Sequence, residues 1–347
     1  EKKLKRIGVM TSGGDAPGMN AAIRAVVRTA LYHKLEVFGI MRGYQGMIDN
    51  DMFQMDNRSV ANIIQRGGTI LKSARCKEFF EPAGRKKAYE NLKKHGINGL
   101  IIIGGDGSFK GAQIFSHEFD IPCIGIPGTI DKDIAGTDFT IGFDTAVNTA
   151  VEAIDKIRDT ADAHDRLFVV EVMGRDAGYI ALHSGIATGA ENILIPETKT
   201  DIEELIASLT EKEKRKKLVN LVVVAEGALP KAGTLAIPDV AADQYGHHAP
   251  RNIAQLIAPE IERRTGYEAR VVQLGHVQRG GTPTSYDRVL STRFGLAAVD
   301  AVHDAAFGQM VVLRCGEIAR ESLSATRGKI KTINLDLFAD VSATFFG

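Results

Sequence analysis

The sequence carries no net charge: across 347 residues, 43 lysines and arginines balance 43 aspartates and glutamates. No overall field therefore draws the chain to nucleic acid or an anionic membrane, and any anion it binds must be held locally. Cysteine is scarce. Cys76, Cys123 and Cys315 are odd in number, far apart and without metal-ligand spacing, which excludes a disulfide framework and a zinc ribbon and suits free thiols in a reducing compartment. No apolar run approaches the roughly 20 residues of a membrane helix. The stretch Glu1 to Arg6 is charged rather than signal-like, and the expected location is cytoplasmic. Internal repeats and low-complexity tracts are absent. So are the Walker lysine motif GxxxxGK[ST] and the HRD and DFG motifs of protein kinases.

What is present is a recurring unit. Short runs rich in Ile and Val are each followed by glycines and then by a stretch of helical period: Ile7 to Met10, Val37 to Ile40, Leu100 to Ile103, Cys123 to Ile126, Leu167 to Val172, Leu221 to Ala225 and Arg270 to Leu274. Strands without polar alternation are buried on both faces, as in parallel sheets between helical layers. The fold class is α/β, and a 44% hydrophobic content is ample for a large core.

Between the runs, Asp144 to Arg158 sets Val147, Val151 and Ile154 on one helical face. Thr200 with Glu203 forms a capping box ahead of Leu205 and Leu209, and Asn252 to Arg264 ends at Gly266, a left-handed cap. The stretch Ala228 to Pro250, with its prolines, glycines and the pair His247 and His248, reads as a long loop or insertion. The basic run Lys212 to Lys217 closes a helix, where cations meet the negative dipole end. It reads as a solvated helix end, with an effector-phosphate contact as the alternative.

Ligands of open α/β sheets bind beyond the carboxyl ends of the strands, and three glycine turns lie there. In Ile7 to Asn20 (IGVMTSGGDAPGMN), Gly13, Gly14 and Gly18 precede a helix from near Met19, a combination that brings backbone N–H groups to an anion. In Leu100 to Gly111 (LIIIGGDGSFKG) the informative residue is Asp106. A carboxylate inside a phosphate-cradling turn repels the phosphates unless a divalent cation sits between them, and magnesium accepts one aspartate plus phosphate and water oxygens. In Cys123 to Ile134 (CIGIPGTIDKDI), Asp131 and Asp133 stand two residues apart on a loop, where one can accept a proton from an alcohol while its neighbour orients substrate or metal-bound water. Positive charge for phosphoryl transfer has candidates in Arg75, in Arg175 of the MGRD turn and in the GHVQRGG turn.

The runs TSGGDAPGMNAAIR, GGTILKSAR, IIGGDGS, PGTIDKDI, EVMGRDAGY and LGHVQRGG resemble, in the same order over nearly the whole chain, those of bacterial-type phosphofructokinases. The resemblance implies two Rossmann-like three-layer lobes with the active site in the cleft between them. Residues 1–141 plus about 277–305 would form the ATP-binding lobe, and about 142–276 plus 306–347 the fructose 6-phosphate-binding lobe. It implies transfer of the γ-phosphoryl group of MgATP to the 1-hydroxyl of fructose 6-phosphate. Gly14, Arg75, Cys76, Gly105, Asp106, Gly107 and Ser108 would contact ATP, with Asp106 on Mg2+. Thr129, Ile130, Asp131, Met173, Gly174, Arg175 and Glu226 would surround the sugar, Asp131 being the base. Thr129, Arg175 and Arg75 would steady the transferring group. His276, Val277, Gln278 and Arg279 would take the 6-phosphate, joined by Arg166 and Arg270 from a neighbouring subunit of a homotetramer.

The donor depends on Gly107 and Gly128. Pyrophosphate-using relatives carry an acidic residue and a lysine there, and glycine at both points to ATP. Lys132 departs from the usual TIDND, with its ammonium either facing solvent or lowering the pKa of Asp131. An effector site is matched in part by Arg24, Arg28, Arg158, Glu191 and Lys217, although Asn57 stands where an arginine is common. The rival functions are a pyrophosphate-dependent enzyme, a GGDG-type kinase acting on NAD or a lipid head group, and a non-catalytic regulatory homologue. Asp131 and GHVQRGG speak against the second, and the intact set of charged residues against the last.

Overall fold

Each of the apolar runs forms a strand. The structure, a computed structural model, describes residues 4–164, 166–214, 221–236, 251–326 and 328–346. In chain order come β1 (Arg6–Thr11), α1 (Met19–Tyr32), β2 (Glu36–Ile40), α2 (Tyr44–Asp49), β3 (Met52–Met55), α3 (Pro82–Lys94), β4 (Leu100–Gly104), α4 (Asp106–Phe119) and β5 (Cys123–Pro127). Then follow α5 (Phe143–His164), β6 (Leu167–Val172), α6 (Tyr179–Ala187), β7 (Asn192–Leu194), α7 (Ile202–Lys214), β8 (Leu221–Ala225) and α8 (Ile253–Thr265). The chain closes with β9 (Ala269–Gln273), α9 (Ser285–His303), β10 (Gln309–Arg314), β11 (Glu317–Ser322) and α10 (Leu335–Val341). Among the described residues no helix is long and apolar enough to cross a membrane.

The chain divides into two units, Glu1–Thr145 with Arg279–Ile330 and Ala146–Gln278 with Lys331–Gly347. The first holds a seven-stranded sheet in the order β11-β10-β5-β4-β1-β2-β3. Its inner strands are parallel, and the central β4 and β5 are buried throughout, as LIIIG and CIGIP dictate. The edges β3 and β11 run antiparallel and are largely exposed. Residues 306–330 were expected in the second lobe. They supply β10 and β11, and β10 is hydrogen-bonded in parallel to β5, so they complete the first sheet instead. On one face Phe79, Phe109, Phe115, Ile40 and Ile102 fill the core. Elsewhere α1 and α9 approach so closely that a Cβ on Gly295 would lie 2.5 Å from that of Ala25.

The second unit holds a parallel sheet in the order β7-β8-β6-β9. Its core takes Val169, Val222 and Val224 from the strands, Leu205 and Leu209 from α7, and Ile257 and Ile261 from α8. α5 starts directly after Gly142, and Ala146, Ala150 and Ile154 are its most buried stripe, with Val147 and Val151 beside them. α8 ends at Gly266 with φ +80°. The cap of α7 is Asp201, whose Oδ1 accepts from Glu203 N at 2.9 Å, while Thr200 forms a β-bridge to Pro230. Aspartate outranks threonine as a cap, and the strand-like pairing withdraws Thr200 from the helix. Lys212 is buried and donates to Glu191 O at 2.7 Å, so the basic run does not begin as a solvated helix end. Lys217, His247, His248 and residues 237–250 of the expected insertion lie outside the described residues.

Candidate active site

The order of the first sheet makes a crevice. β1 and β4 are neighbours, yet the chain leaves β1 through α1 towards β2 and leaves β4 through α4 towards β5, in opposite directions. The carboxyl ends of such a pair lie at a topological switch point, where ligands of open sheets bind. The first two glycine turns meet there: Ser12 N donates to Ile103 O at 3.0 Å. A Cβ on Gly104 would lie 2.6 Å from both Ser12 O and Ser108 Oγ, so only glycine permits the approach.

Gly105 is the N-cap of α4 and carries no side chain to cap it, which leaves the first N–H groups of α4 and its positive dipole end to an incoming anion. Asp106 opens the helix. Its Oδ2 lies 2.6 Å from Lys110 Nζ, and its Oδ1 is buried with no hydrogen-bond partner among the described residues. No cluster of three or more His, Cys, Asp or Glu converges as a metal cage among those residues. A cation on Asp106 would thus take most of its oxygens from phosphate and water, as magnesium does. The orphan oxygen and the anion-seeking helix end fit that group.

The segment carrying Arg75 is laced to the first turn. Thr11 Oγ1 lies 2.8 Å from Thr69 Oγ1 and donates to Lys72 O at 2.8 Å, and Ser73 Oγ donates to Gly13 O at 2.6 Å. Asn20 bridges the same segment, donating to Arg66 O and accepting from Ile70 N. Arg75 is left exposed at the end of this braced stretch. Cys76 is buried in the apolar cluster with Tyr44 and Phe79, and burial pushes its thiol pKa up, so it packs as an unionised side chain. Arg279 sits over the first turn: its Nη1 donates to Asp15 O at 3.3 Å and fills the space that a Cβ on Gly14 would need. The expectation grouped Arg279 with His276, whereas the unit boundary falls immediately before it.

The Asp131 loop grows from the same crevice. Gly128 N donates to Gly104 O at 2.9 Å and Ile141 N to Pro127 O at 3.0 Å, closing the loop at both ends. Thr140 Oγ1 donates to Thr129 O at 2.6 Å, and Thr129 Oγ1 accepts from Asp131 N at 3.2 Å. Asp131 is 2% exposed. Ile130 is fully buried, so its side chain belongs to the core and only its backbone remains for a substrate. Lys132 does not take the first of its expected courses, since its side chain is not in solvent. Its backbone is left-handed, φ +57°, and its ammonium is buried over the rings of Phe139, 4.2 Å from the centroid, and Phe143, 4.7 Å. A left-handed non-glycine residue costs of order 1–3 kcal/mol, and a desolvated cation–π contact returns about 2.

At the two positions expected to set the donor, a Cβ on Gly107 meets nothing within 4 Å. One on Gly128 would lie 3.1 Å from Ile103 Cγ2 and 3.3 Å from Met19 Cε, which makes glycine there a packing requirement as well.

In the second unit the turns after β6, β8 and β9 share one end of the sheet. Glu226 Oε1 accepts from Gly174 N at 3.2 Å and from Arg175 N at 2.9 Å, and so fixes the MGRD turn. Gly174 has φ +139°, and Arg175, at φ +53°, presents its side chain outward. Gln278 is fully buried, accepting from Met173 N at 3.3 Å and donating to Gly275 O at 3.0 Å, so its amide ties two turns together rather than facing a ligand. His276 and Val277 beside it are exposed, and Met173 is buried.

Arg166 and Arg270 lie at the other end of this sheet, where Leu167 pairs with Ala269. Arg166 Nε lies 2.8 Å from Glu268 Oε2, and Arg270 pairs with the other oxygen of Glu268. The six residues of β6 place them about 20 Å from the MGRD turn, at roughly 3.3 Å per residue. They therefore lie at the end of the sheet opposite the one that carries the MGRD turn.

Of the effector candidates, Arg24 and Arg28 lie on α1 of the first unit. Arg158 and Glu191 come together in the second. Arg158 Nη2 donates to Thr188 O and Gly189 O, and its charge partly offsets the burial that raises the Glu191 pKa.

Two structural residues escaped the sequence reading. Tyr44 donates to Ser108 O at 2.6 Å and stacks on Phe79 at 4.0 Å, bracing the first turn of α4. Asp287, fully buried, accepts from Gly142 N, Thr145 N and Thr145 Oγ1 at the start of α5. Burial pushes its pKa up to about 6 against these hydrogen bonds. In each case the partners are more than 60 residues apart, beyond any local pattern.

A family profile described as Phosphofructokinase matches residues 6–302. The chain is 50% identical over 335 residues to the ATP-dependent 6-phosphofructokinase of Halothermothrix orenii, covering 96% of this chain and 98% of that protein. It is 48% identical to ATP-dependent 6-phosphofructokinase 2 of Bacteroides thetaiotaomicron, over 96% of each. Among solved structures, phosphofructokinase from Saccharomyces cerevisiae superposes with a TM-score of 0.81 at 35% identity, over 98% of this chain and 46% of that one. The pyrophosphate-dependent phosphofructokinase from Marinobacter aquaeolei gives the same TM-score at 23% identity, over 96% of this chain and 86% of that one, a likeness of fold alone.

Proposed function

The chain belongs to the phosphofructokinase family, and from that premise we infer that it transfers the γ-phosphoryl group of ATP to the 1-hydroxyl of fructose 6-phosphate, giving fructose 1,6-bisphosphate and ADP. The observation that carries this reading is a single backbone bond. Gly128 N donates to Gly104 O at 2.9 Å, which holds the loop of Asp131 against the turn that opens α4. That juxtaposition of a carboxylate loop and a helix N-terminus supports a base acting beside an anion-binding helix end.

In this reading Asp131 takes the proton of the 1-hydroxyl as that oxygen forms its bond to the γ-phosphorus and the bond to the β-phosphate oxygen breaks. The first N–H groups of α4, Gly14, Arg75, Gly105, Gly107 and Ser108 hold the polyphosphate, and Thr129 and Arg175 steady the transferring group. Most of the rate enhancement would come from positioning and preorganised charge. Asp106 would hold magnesium, which neutralises phosphate charge when bound. Met173, Gly174, Glu226 and His276 would receive the sugar phosphate, Glu226 also keeping the MGRD backbone in place. Arg279 would act from its seat over Gly14. Arg166 and Arg270 would serve a neighbouring copy in a homotetramer, a role that their distance from the MGRD turn supports.

The donor is ATP rather than pyrophosphate. The curated relatives named above are ATP-dependent, and the open face at Gly107 leaves room for the rest of a nucleotide. A cytoplasmic location accords with free Cys76, Cys123 and Cys315. The reading is tested by incubating the protein with fructose 6-phosphate and either MgATP or magnesium pyrophosphate as sole donor, and assaying fructose 1,6-bisphosphate. Product with MgATP alone is expected; robust turnover with pyrophosphate would overturn the choice of donor.

A further inference from the structure

Lys132 is a buried cation one residue from the proposed base, and the reaction outlined above gives it no work. Three observations bear on what it does. Its backbone is left-handed, φ +57°, which reverses the chain immediately after Asp131. Its ammonium lies over two rings, Phe139 within the same loop and Phe143 at the first turn of α5. Phe139 is itself held by Tyr286 of α9, with centroids 5.1 Å apart, and by Phe143 at 5.8 Å. The left-handed region costs a lysine strain that its surroundings offset, and here those surroundings include an aromatic platform seated on two helices.

We propose that Lys132 is a positioning residue: its ammonium, clamped on the Phe139 and Phe143 rings, fixes the kink that aims the Asp131 carboxylate at the acceptor hydroxyl. The inference rests on the reading of Asp131 as the base. The side chain touches no substrate in this scheme. It acts by limiting the directions open to its neighbour, and small displacements of a catalytic group are costly in rate.

The test compares Lys132→Met, Lys132→Arg, Phe139→Leu and the double variant Lys132→Met/Phe139→Leu in the full-length protein, with thermal unfolding recorded alongside. Lys132→Met is expected to lower kcat about tenfold at temperatures well below its unfolding transition, with KM for both substrates within about twofold. The acid limb of its pH profile should stay in place, and Lys132→Arg should recover most of the loss. Phe139→Leu should produce a similar fall, and the double variant should be no slower than the slower single, because both changes remove one clamp. The proposal is overturned if Lys132→Met keeps full kcat and loses only thermal stability, if the two losses multiply, or if the acid limb moves while Phe139→Leu stays fully active. Asp131→Ser, run in parallel, reports on the base itself. An unmodified chain unable to phosphorylate fructose 6-phosphate would contradict the underlying reading and not the clamp.

Discussion

At the scale of single residues, Gly107 is the position proposed to decide the donor. A Cβ there meets nothing within 4 Å, and in the proposed scheme a carboxylate at this position would meet the same phosphates that Asp106 would face through a cation. Gly107→Asp is expected to raise KM for ATP by at least tenfold while KM for fructose 6-phosphate stays within about twofold, since a like charge near a bound anion costs on the order of 1–2 kcal/mol. Steady-state kinetics with each substrate varied in turn check this; equal effects on both would point to a damaged fold instead. Asp106 and Asp131 can be singled out as candidates from the sequence because glycines after apolar runs mark strand ends and a carboxylate there needs a reason. Lys132 cannot be placed in this way. The sign of its φ and the two aromatic rings that receive its ammonium are properties of the folded loop. Gln278 and Ile130 were read as substrate contacts, yet one is spent on backbone groups and the other on the core. Motif membership says which segment is used, not which of its side chains face outward.

At the scale of elements, the start of α5 depends on a carboxylate from α9. Asp287 satisfies Gly142 N and Thr145 N, donors that a helix N-terminus otherwise leaves unpaired. Its folded pKa of about 6 stands above the model-compound value of 3.8, so between those pH values the folded state holds a proton that the unfolded state has released. Stability from this group is therefore fully present below about pH 4 and is lost as pH rises through about 6. Asp287→Asn should remove this component. The difference in unfolding free energy between pH 5 and pH 7.5 is expected to shrink by roughly 1–2 kcal/mol relative to the unmodified chain, as measured by denaturant titration at both values. An unchanged difference would show that the carboxyl is already ionised at pH 5. Most of the parallel strands could be read from apolar runs, and α5, α7 and α8 from helical period and caps, whereas β7, β10 and α9 were not read. Nor were the edge strands β3 and β11, being short or exposed, and the cap of α7 moved by one residue because strand-like pairing claimed Thr200.

At the scale of the whole molecule, the boundary between the units differs from the expected one because β10 pairs with β5, an association across more than 180 residues that no local pattern announces. Arg166 and Arg270 belong to this scale too. Held by Glu268 at the far end of their sheet, they would, in the proposed reading, make a homotetramer a condition for sugar binding. Arg166→Ser should raise KM for fructose 6-phosphate by roughly 10- to 100-fold, the worth of one charge-assisted hydrogen bond to phosphate, and leave KM for ATP nearly unchanged. Dilution below the assembly threshold, followed by light scattering and activity together, should produce the same selective loss. The base reading is tested most directly by the turnover number of Asp131→Ser with MgATP and fructose 6-phosphate. A fall of roughly 10²- to 10⁴-fold with both KM values close to those of the unmodified protein is predicted. Unchanged turnover accompanied by a large loss of substrate binding would contradict it.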